Sequence, residues 1–225
     1  MTPADLAVLR EAAAHVVGGV DSVVIGEADD RHLFRVLRLR DGEVVTMTDG
    51  AGRWRVCRVT NGGLEPVGDV RDTHRPYDPV TLAFAVPKRD RPEWIVQKLT
   101  EIGVDRIVLL ETERSIVRWE PTRAERQIAR LRKVAVEALQ QCRGVWLPEI
   151  VGPLGAADVL PEAVAAEPGG RLLERADRTI AVGPEGGWTA AELALAADRV
   201  SLGDRVLRVE TAAVVAASRV VEHSA

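Results

Sequence analysis

The feature that most limits what this chain can fold into is an alternation of short apolar runs with helical patterns, beginning at residue 81. Thr81–Val86 and Arg106–Leu110 lack the polar alternation of a half-solvated strand. Continuous apolar strands of this kind are covered on both faces, as in a parallel sheet flanked by helices. Between them, Arg91–Ile102 places Ile95, Val96, Leu99 and Ile102 on one side of a helix. Asp90 stands at its N-cap with Glu93 three residues on, and Gly103 ends it. A longer helix is predicted over Pro121–Gln141, with Ile128, Leu131, Ala135, Ala138 and Leu139 as its buried stripe. Arg123, Arg126, Arg130 and Lys133 fall in one column on a different face. The same reading predicts a helix near Ala156–Ala166, a strand at Thr179–Val182, a helix from about Ala190, a strand at Val200–Leu202 and a last helix from about Ala212.

The first part of the chain reads differently. Ser22–Ile25, Glu43–Thr48 and Trp54–Val59 are strand-like, and Asp49-Gly50-Ala51-Gly52 between the last two signals a hairpin. Asp72 to Pro79 carries two prolines and reads as a linker. Two domains are therefore expected, at residues 1–72 and 78–225.

Charge and composition narrow the class. The formal net charge is −4, yet residues 31–60 hold seven basic against three acidic side chains, and residues 81–150 hold thirteen against ten. Basic zones in an acidic chain suit a localised contact with a polyanion, and equally a solvated surface rich in arginine. No apolar run approaches the roughly 20 residues of a membrane span, and the N-terminal segment has no signal-peptide pattern, so a cytoplasmic protein without a membrane partner is expected. Cys57 and Cys142 form no CxxC, and the four histidines are scattered, so no metal is expected.

Two loops carry the candidate chemistry. Gly183-Pro184-Glu185-Gly186-Gly187-Trp188 follows the apolar strand ending at Val182, and Thr189 with Glu192 forms a capping box for the next helix. Glycines let the main chain approach a flat ligand closely. Neither GxxxxGK[ST] nor GxGxxG is present, which counts against a phosphate loop and against a nicotinamide-dependent oxidoreductase. A loop with the carboxylate of Glu185 and no lysine suits a cation joined to adenosine, such as S-adenosylmethionine; a tight turn that binds nothing is the alternative. The second loop, Leu202-Gly203-Asp204-Arg205-Val206-Leu207-Arg208-Val209-Glu210-Thr211-Ala212, also follows a strand, and Thr211 stands where it can cap the alanine-rich final helix. Two such loops at strand ends in one sheet suggest a shared crevice.

Together with Arg31-His32-Leu33-Phe34-Arg35-Val36-Leu37-Arg38, Gln97 to Gly103, Glu113-Arg114-Ser115 and Glu137-Ala138 with Gln141, these loops resemble the RsmE family, the bacterial 16S rRNA uridine-N3 methyltransferases of the SPOUT class. The resemblance spans nearly the whole chain. It implies a SPOUT-type α/β domain, a parallel sheet with a C-terminal trefoil knot, preceded by a small PUA-like β-barrel that binds RNA. It implies S-adenosylmethionine as cofactor and 16S rRNA, within an assembled 30S subunit, as partner, with a homodimer as the working form. On that basis Val182, Gly183, Pro184, Glu185, Gly186, Leu202, Gly203, Leu207 and Thr211 are expected to hold the cofactor. Arg205, Arg208 and Glu210 are expected to act in catalysis, and His32, Arg35, Arg38, Arg114 and Arg143 to contact RNA. The alternative is an RNA-binding or ribosome-assembly module whose cofactor pocket is not catalytic.

Overall fold

A computed structural model describes residues 1–75 and 77–221. They divide into two compact units, one of residues 1–75 with 139–147, the other of residues 77–138 with 148–221.

The first unit begins with α1 (Pro3–Glu11), whose Thr2 and Asp5 form a capping box. Strands β1 (Ala14–Val17), β2 (Val44–Thr48), β3 (Arg53–Thr60) and β4 (Gly63–Asp72) form a sheet in that order, β1 parallel to β2 and the rest antiparallel. Between β1 and β2 lie α2 (Glu27–Arg31) and a π-helical turn, His32–Val36, that drives Leu33 into the core with Val16, Val45, Met47, Cys57 and Val59. The expected hairpin is present. Asp49 accepts from Ala51 N and Arg53 N, and Gly50 and Gly52 have left-handed φ of 74° and 94°. A Cβ at Gly52 would also lie 2.2 Å from the Trp146 ring, so only glycine fits there.

The segment Ser22–Ile25 is not a strand: Val23 has φ of 53°, which breaks the extended run and leaves a single bridge, Gly19 to Val24. β1 and β4 were not foreseen. β4 is an edge strand carrying Pro66 and Gly68, residues that argue against a strand unless it lies at an edge or bulge.

His15 of β1 is buried among these strands. Its Nδ1 lies 2.8 Å from Thr46 Oγ1 and its Nε2 2.8 Å from the carbonyl of Gly144, which can only accept, so Nε2 carries a proton. Burial, with the charge of Arg143 nearby, pushes its pKa down from the ordinary 6.5 to about 4. A folded value below the unfolded one means protons bind more tightly to the unfolded chain. This stability is present in full above pH 6.5 and is lost as pH falls toward 4. Between pH 7 and pH 5 the protein should lose about 2 kcal/mol through this group. Chemical denaturation of wild type and His15→Gln at both pH values checks it: the variant, though less stable at pH 7, should show a correspondingly smaller decline.

The second unit is a six-stranded parallel sheet in the order β10-β8-β9-β5-β6-β7. Its elements in chain order are β5 (Thr81–Ala85), α3 (Arg91–Ile102), β6 (Arg106–Glu111), α4 (Pro121–Cys142), β7 (Glu149–Gly155), the short α5 (Ala156–Val159), β8 (Val164–Leu172), β9 (Thr179–Val182), α6 (Ala190–Leu195), β10 (Asp198–Ser201) and α7 (Val209–Val220). The α/β class read from the alternation is what the chain adopts. Ile95, Val96 and Leu99 of α3 are fully buried, α3 packs on α7, and Gly103 closes α3 with φ of 96°.

Three local expectations need correction. The helix near Ala156–Ala166 is one turn of α5 and a 3-10 turn, followed by β8. Here burial of Val164 and Ala165 between β9 and β10 overrides the helical preference of alanine, and Pro168, Gly169 and Gly170 oppose a helix. Asp90 occupies the N-cap of α3 but makes no capping bond, and Glu93 pairs instead with Arg130 Nε at 3.2 Å. α7 starts at Val209 with Arg208 at its N-cap, not at Ala212 with Thr211, because burying Val209 draws the helix start forward.

Candidate active site

The strand β9 and the edge strand β10 end on one side of the sheet, each delivering a loop there, and β8 between them passes the same side where its register with β10 shifts. Ligands of parallel α/β sheets bind beyond the carboxyl ends of the strands. Gly183–Trp188 after β9, Leu202–Leu207 after β10 and Ala166–Pro168 within β8 line one cavity of about 370 Å³. That volume lies within the roughly 300–1,000 Å³ of small-ligand sites.

The first loop is held from several directions. Gly187 N donates to Pro184 O, closing a turn. Thr189 Oγ1 accepts from Glu192 N, and a Glu192 oxygen accepts from Thr189 N, so the capping box read from the sequence is present. The other Glu192 oxygen accepts from Glu113 N at 2.8 Å, tying the β6–α4 connection to the start of α6. Removing this cap by Thr189→Ala should cost about 1–2 kcal/mol in a denaturant titration. Trp188 is buried, its indole donating to Ala166 O at 3.1 Å. It lies so close over Gly183 that a Cβ there would sit 2.7 Å from the ring.

The second loop turns at Gly203, where φ is 136°. Ser201 Oγ bonds both Gly203 N and Gly203 O at 3.2 Å, and Arg219 of α7 donates to Leu202 O.

Among the residues picked from the sequence, Val182, Gly183, Pro184, Glu185, Gly186, Leu202, Gly203, Leu207 and Arg205 all line this cavity. Thr211 does not; it is exposed on α7, and Val209 and Ala212 line the cavity in its place. Arg208, also exposed, stands outside the lining. Glu210 pairs with neither Arg205 nor Arg208 but with Arg91 of α3, at 3.6 Å, and its other oxygen is buried without a partner. Arg91 also meets Glu185 at 3.6 Å, so one guanidinium spans the first loop and the start of α7. Arg114 donates to Gly186 O and Trp188 O, against the first loop. In the other unit, His32, Arg35 and Arg38 are exposed, whereas Arg143 is half-buried, its guanidinium bonded to Ala12 O and its pKa lowered by burial.

Sequence reasoning missed Glu167, Trp188 and Ser201 in the lining. Glu167 was hidden because β8 reads as helix, whereas Trp188 stood in the glycine loop and its bulk was the available signal.

The donors and acceptors offered are mostly main-chain groups on glycine-rich turns, with two carboxylates, Glu167 and Glu185, against one cation, Arg205, among the lining residues. That set fits an adenosyl group carrying positive charge better than a phosphate. No group of histidines, cysteines and carboxylates among the described residues could hold a metal ion.

A parallel sheet with such a cavity at its strand ends, accompanied by a small β unit, defines an α/β protein with a small-ligand site beyond its strands, and the comparisons supply the chemistry. A family model described as an RNA methyltransferase domain matches residues 73–221, and one described as an RNA methyltransferase PUA domain matches residues 25–65. The chain is 31% identical to the ribosomal RNA small subunit methyltransferase E of Synechocystis, over 88% of this chain and 72% of that protein. It is 33% identical to the protein of the same name from Mycobacterium bovis, over 88% and 85%. The solved structure of a ribosomal RNA small subunit methyltransferase E from Neisseria gonorrhoeae, bound to S-adenosyl methionine, is similar with a TM-score of 0.76 and 28% identity, covering 91% of this chain and 94% of that one. The chain belongs to the family of ribosomal RNA small subunit methyltransferases E.

Proposed function

We propose that this protein transfers the methyl group of S-adenosylmethionine to N3 of a uridine in the 16S rRNA of the small ribosomal subunit. The observation that carries this reading is the convergence of Gly183–Gly187 and Leu202–Leu207 on one cavity. S-adenosylmethionine supplies there a methyl carbon activated by positive sulfur. The main chain at Gly183, Gly186, Leu202, Gly203 and Leu207 holds its adenosine, with Val182, Pro184 and Glu185 completing the wall and Thr211 outside it.

Uridine N3 bears a proton at neutral pH, so the protein must favour its loss to solvent water and hold the base in line with the methyl carbon. Arg205, exposed on the cavity rim, stabilises negative charge on the uracil oxygens as N3 ionises. Arg208, exposed at the N-cap of α7, is a second cation for that charge, and Glu210, through Arg91, fixes the first loop against α7. Residues 1–72 form the RNA-binding PUA-like domain, with His32, Arg35 and Arg38 on its surface, and residues 78–225 form the methyltransferase domain with the knotted C-terminus of the SPOUT class. Arginine suits this contact through phosphate forks and base stacking. Arg114 and Arg143 support RNA contact by bracing loops. The working form is a cytoplasmic homodimer acting on assembled 30S subunits without a metal. No helix among the described residues is long and apolar enough to cross a membrane.

Incubating unmodified 30S subunits with labelled S-adenosylmethionine, then mapping the product by mass spectrometry, tests the reading. One 3-methyluridine in 16S rRNA is expected; no transfer, or label on another atom, rejects it.

A further inference from the structure

The most concentrated charge in the second unit lies away from the cavity lining, on α4. Arg123, Arg126, Arg130 and Lys133 follow one another at i+3 and i+4 and are all exposed, over a length of about 15 Å. Like charges at these spacings destabilise a helix, so nothing in the folding of α4 itself calls for them. Among the described residues, the side chains of Arg123, Arg126 and Lys133 enter no ion pair with a carboxylate, although the chain as a whole is acidic. Arg130 has one, with Glu93 of α3, and that pair joins the column to the first turn of α3. Two residues before Glu93, Arg91 reaches Glu185 of the cavity-lining loop. Lys88 and Arg89, three and two residues before Arg91 in the connection leading into α3, are exposed as well. The basic strip therefore leads toward the rim of the cavity.

We infer that this column of α4, with Lys88 and Arg89, is a phosphate-binding track that holds an RNA strand flanking the target nucleotide. The inference rests on the proposed function for the identity of the polyanion. The column is long enough to meet several successive phosphates, and arginine forks bind phosphate oxygens in two-point fashion. The track carries no sequence information: phosphate contacts fix register, while the choice of base belongs to the cavity.

The test is the triple variant Arg123→Gln, Arg126→Gln, Lys133→Gln, which leaves the Arg130–Glu93 pair in place. Affinity for purified 30S subunits is measured for variant and wild type between about 50 and 200 mM salt. Three lost phosphate contacts should reduce the slope of log affinity against log salt by about 2. KM for 30S subunits should rise about tenfold or more, with kcat at saturation within about twofold and methyl-donor affinity unchanged. A second variant, Arg123→Lys with Arg126→Lys, should keep the wild-type salt slope because each charge is retained, while losing part of the affinity with the two-point forks. Equal salt slopes and equal KM for wild type and triple variant overturn the track while leaving the proposed function standing. If the wild type fails to bind S-adenosylmethionine by calorimetry, the proposed function falls, and the two salt slopes still decide the track.

Discussion

Arg205→Ala is expected to slow methyl transfer in a single turnover by about 10²–10³-fold, with methyl-donor affinity changed by less than about threefold. Arg205 lines the cavity and is exposed on its rim, so its guanidinium is available to an incoming base. Losing N3–H places negative charge on the uracil oxygens before the new bond is complete. A fixed cation there favours that charge, and a donor whose interaction grows in the transition state acts on rate rather than on ground-state binding. Raising the pH should narrow the gap between variant and wild type, because the uracil then ionises without help. Arg208→Ala should cost less, since Arg208 stands outside the lining at the N-cap of α7. Equal single-turnover rates for Arg205→Ala and wild type would remove Arg205 from the mechanism.

What the sequence disclosed follows from where local physics and tertiary packing agree. The run Thr179–Val182 is apolar because both faces of β9 are covered, and the glycines after it stand where the chain must turn tightly over a ligand. Thr189 and Glu192 sit three apart because the helix start needs both partners. In these places one pattern has one solution.

The alanines of Ala163–Ala166 do not choose between helix and strand; only neighbours on both sides in the sheet decide, and these come from residues far along the chain. β4 hid in the same way, as Pro66 and Gly68 are tolerated only because β4 lies at the edge of its sheet. Side-chain roles were the least legible. Arg114 looks like any exposed arginine in the sequence, but its partners, Gly186 O and Trp188 O, lie more than seventy residues away. The pairing of Glu210 with Arg91 rather than with its sequence neighbours arises because α3 packs on α7.

The glycine loop itself offers the sharpest test of the cofactor site. Gly183→Val should weaken binding of S-adenosylmethionine about 100-fold or more in calorimetry, and should lower folding stability by about 1–3 kcal/mol. Even the first added carbon would lie 2.7 Å from Trp188 Cε2 and 2.9 Å from its Nε1, closer than packed carbons tolerate. The indole has little room to retreat, because it is buried in a cluster with Leu110, Leu160 and Ala181 and donates to Ala166 O. The loop must therefore move instead, and with it the main-chain groups of Gly183–Gly186 that face the cavity. Trp188→Leu removes Cε2 and Nε1, the ring atoms that the added carbon would strike, so the double variant Gly183→Ala, Trp188→Leu should bind more tightly than Gly183→Ala alone. Strict additivity of the two substitutions would mean that the glycine is not there to make room for the tryptophan.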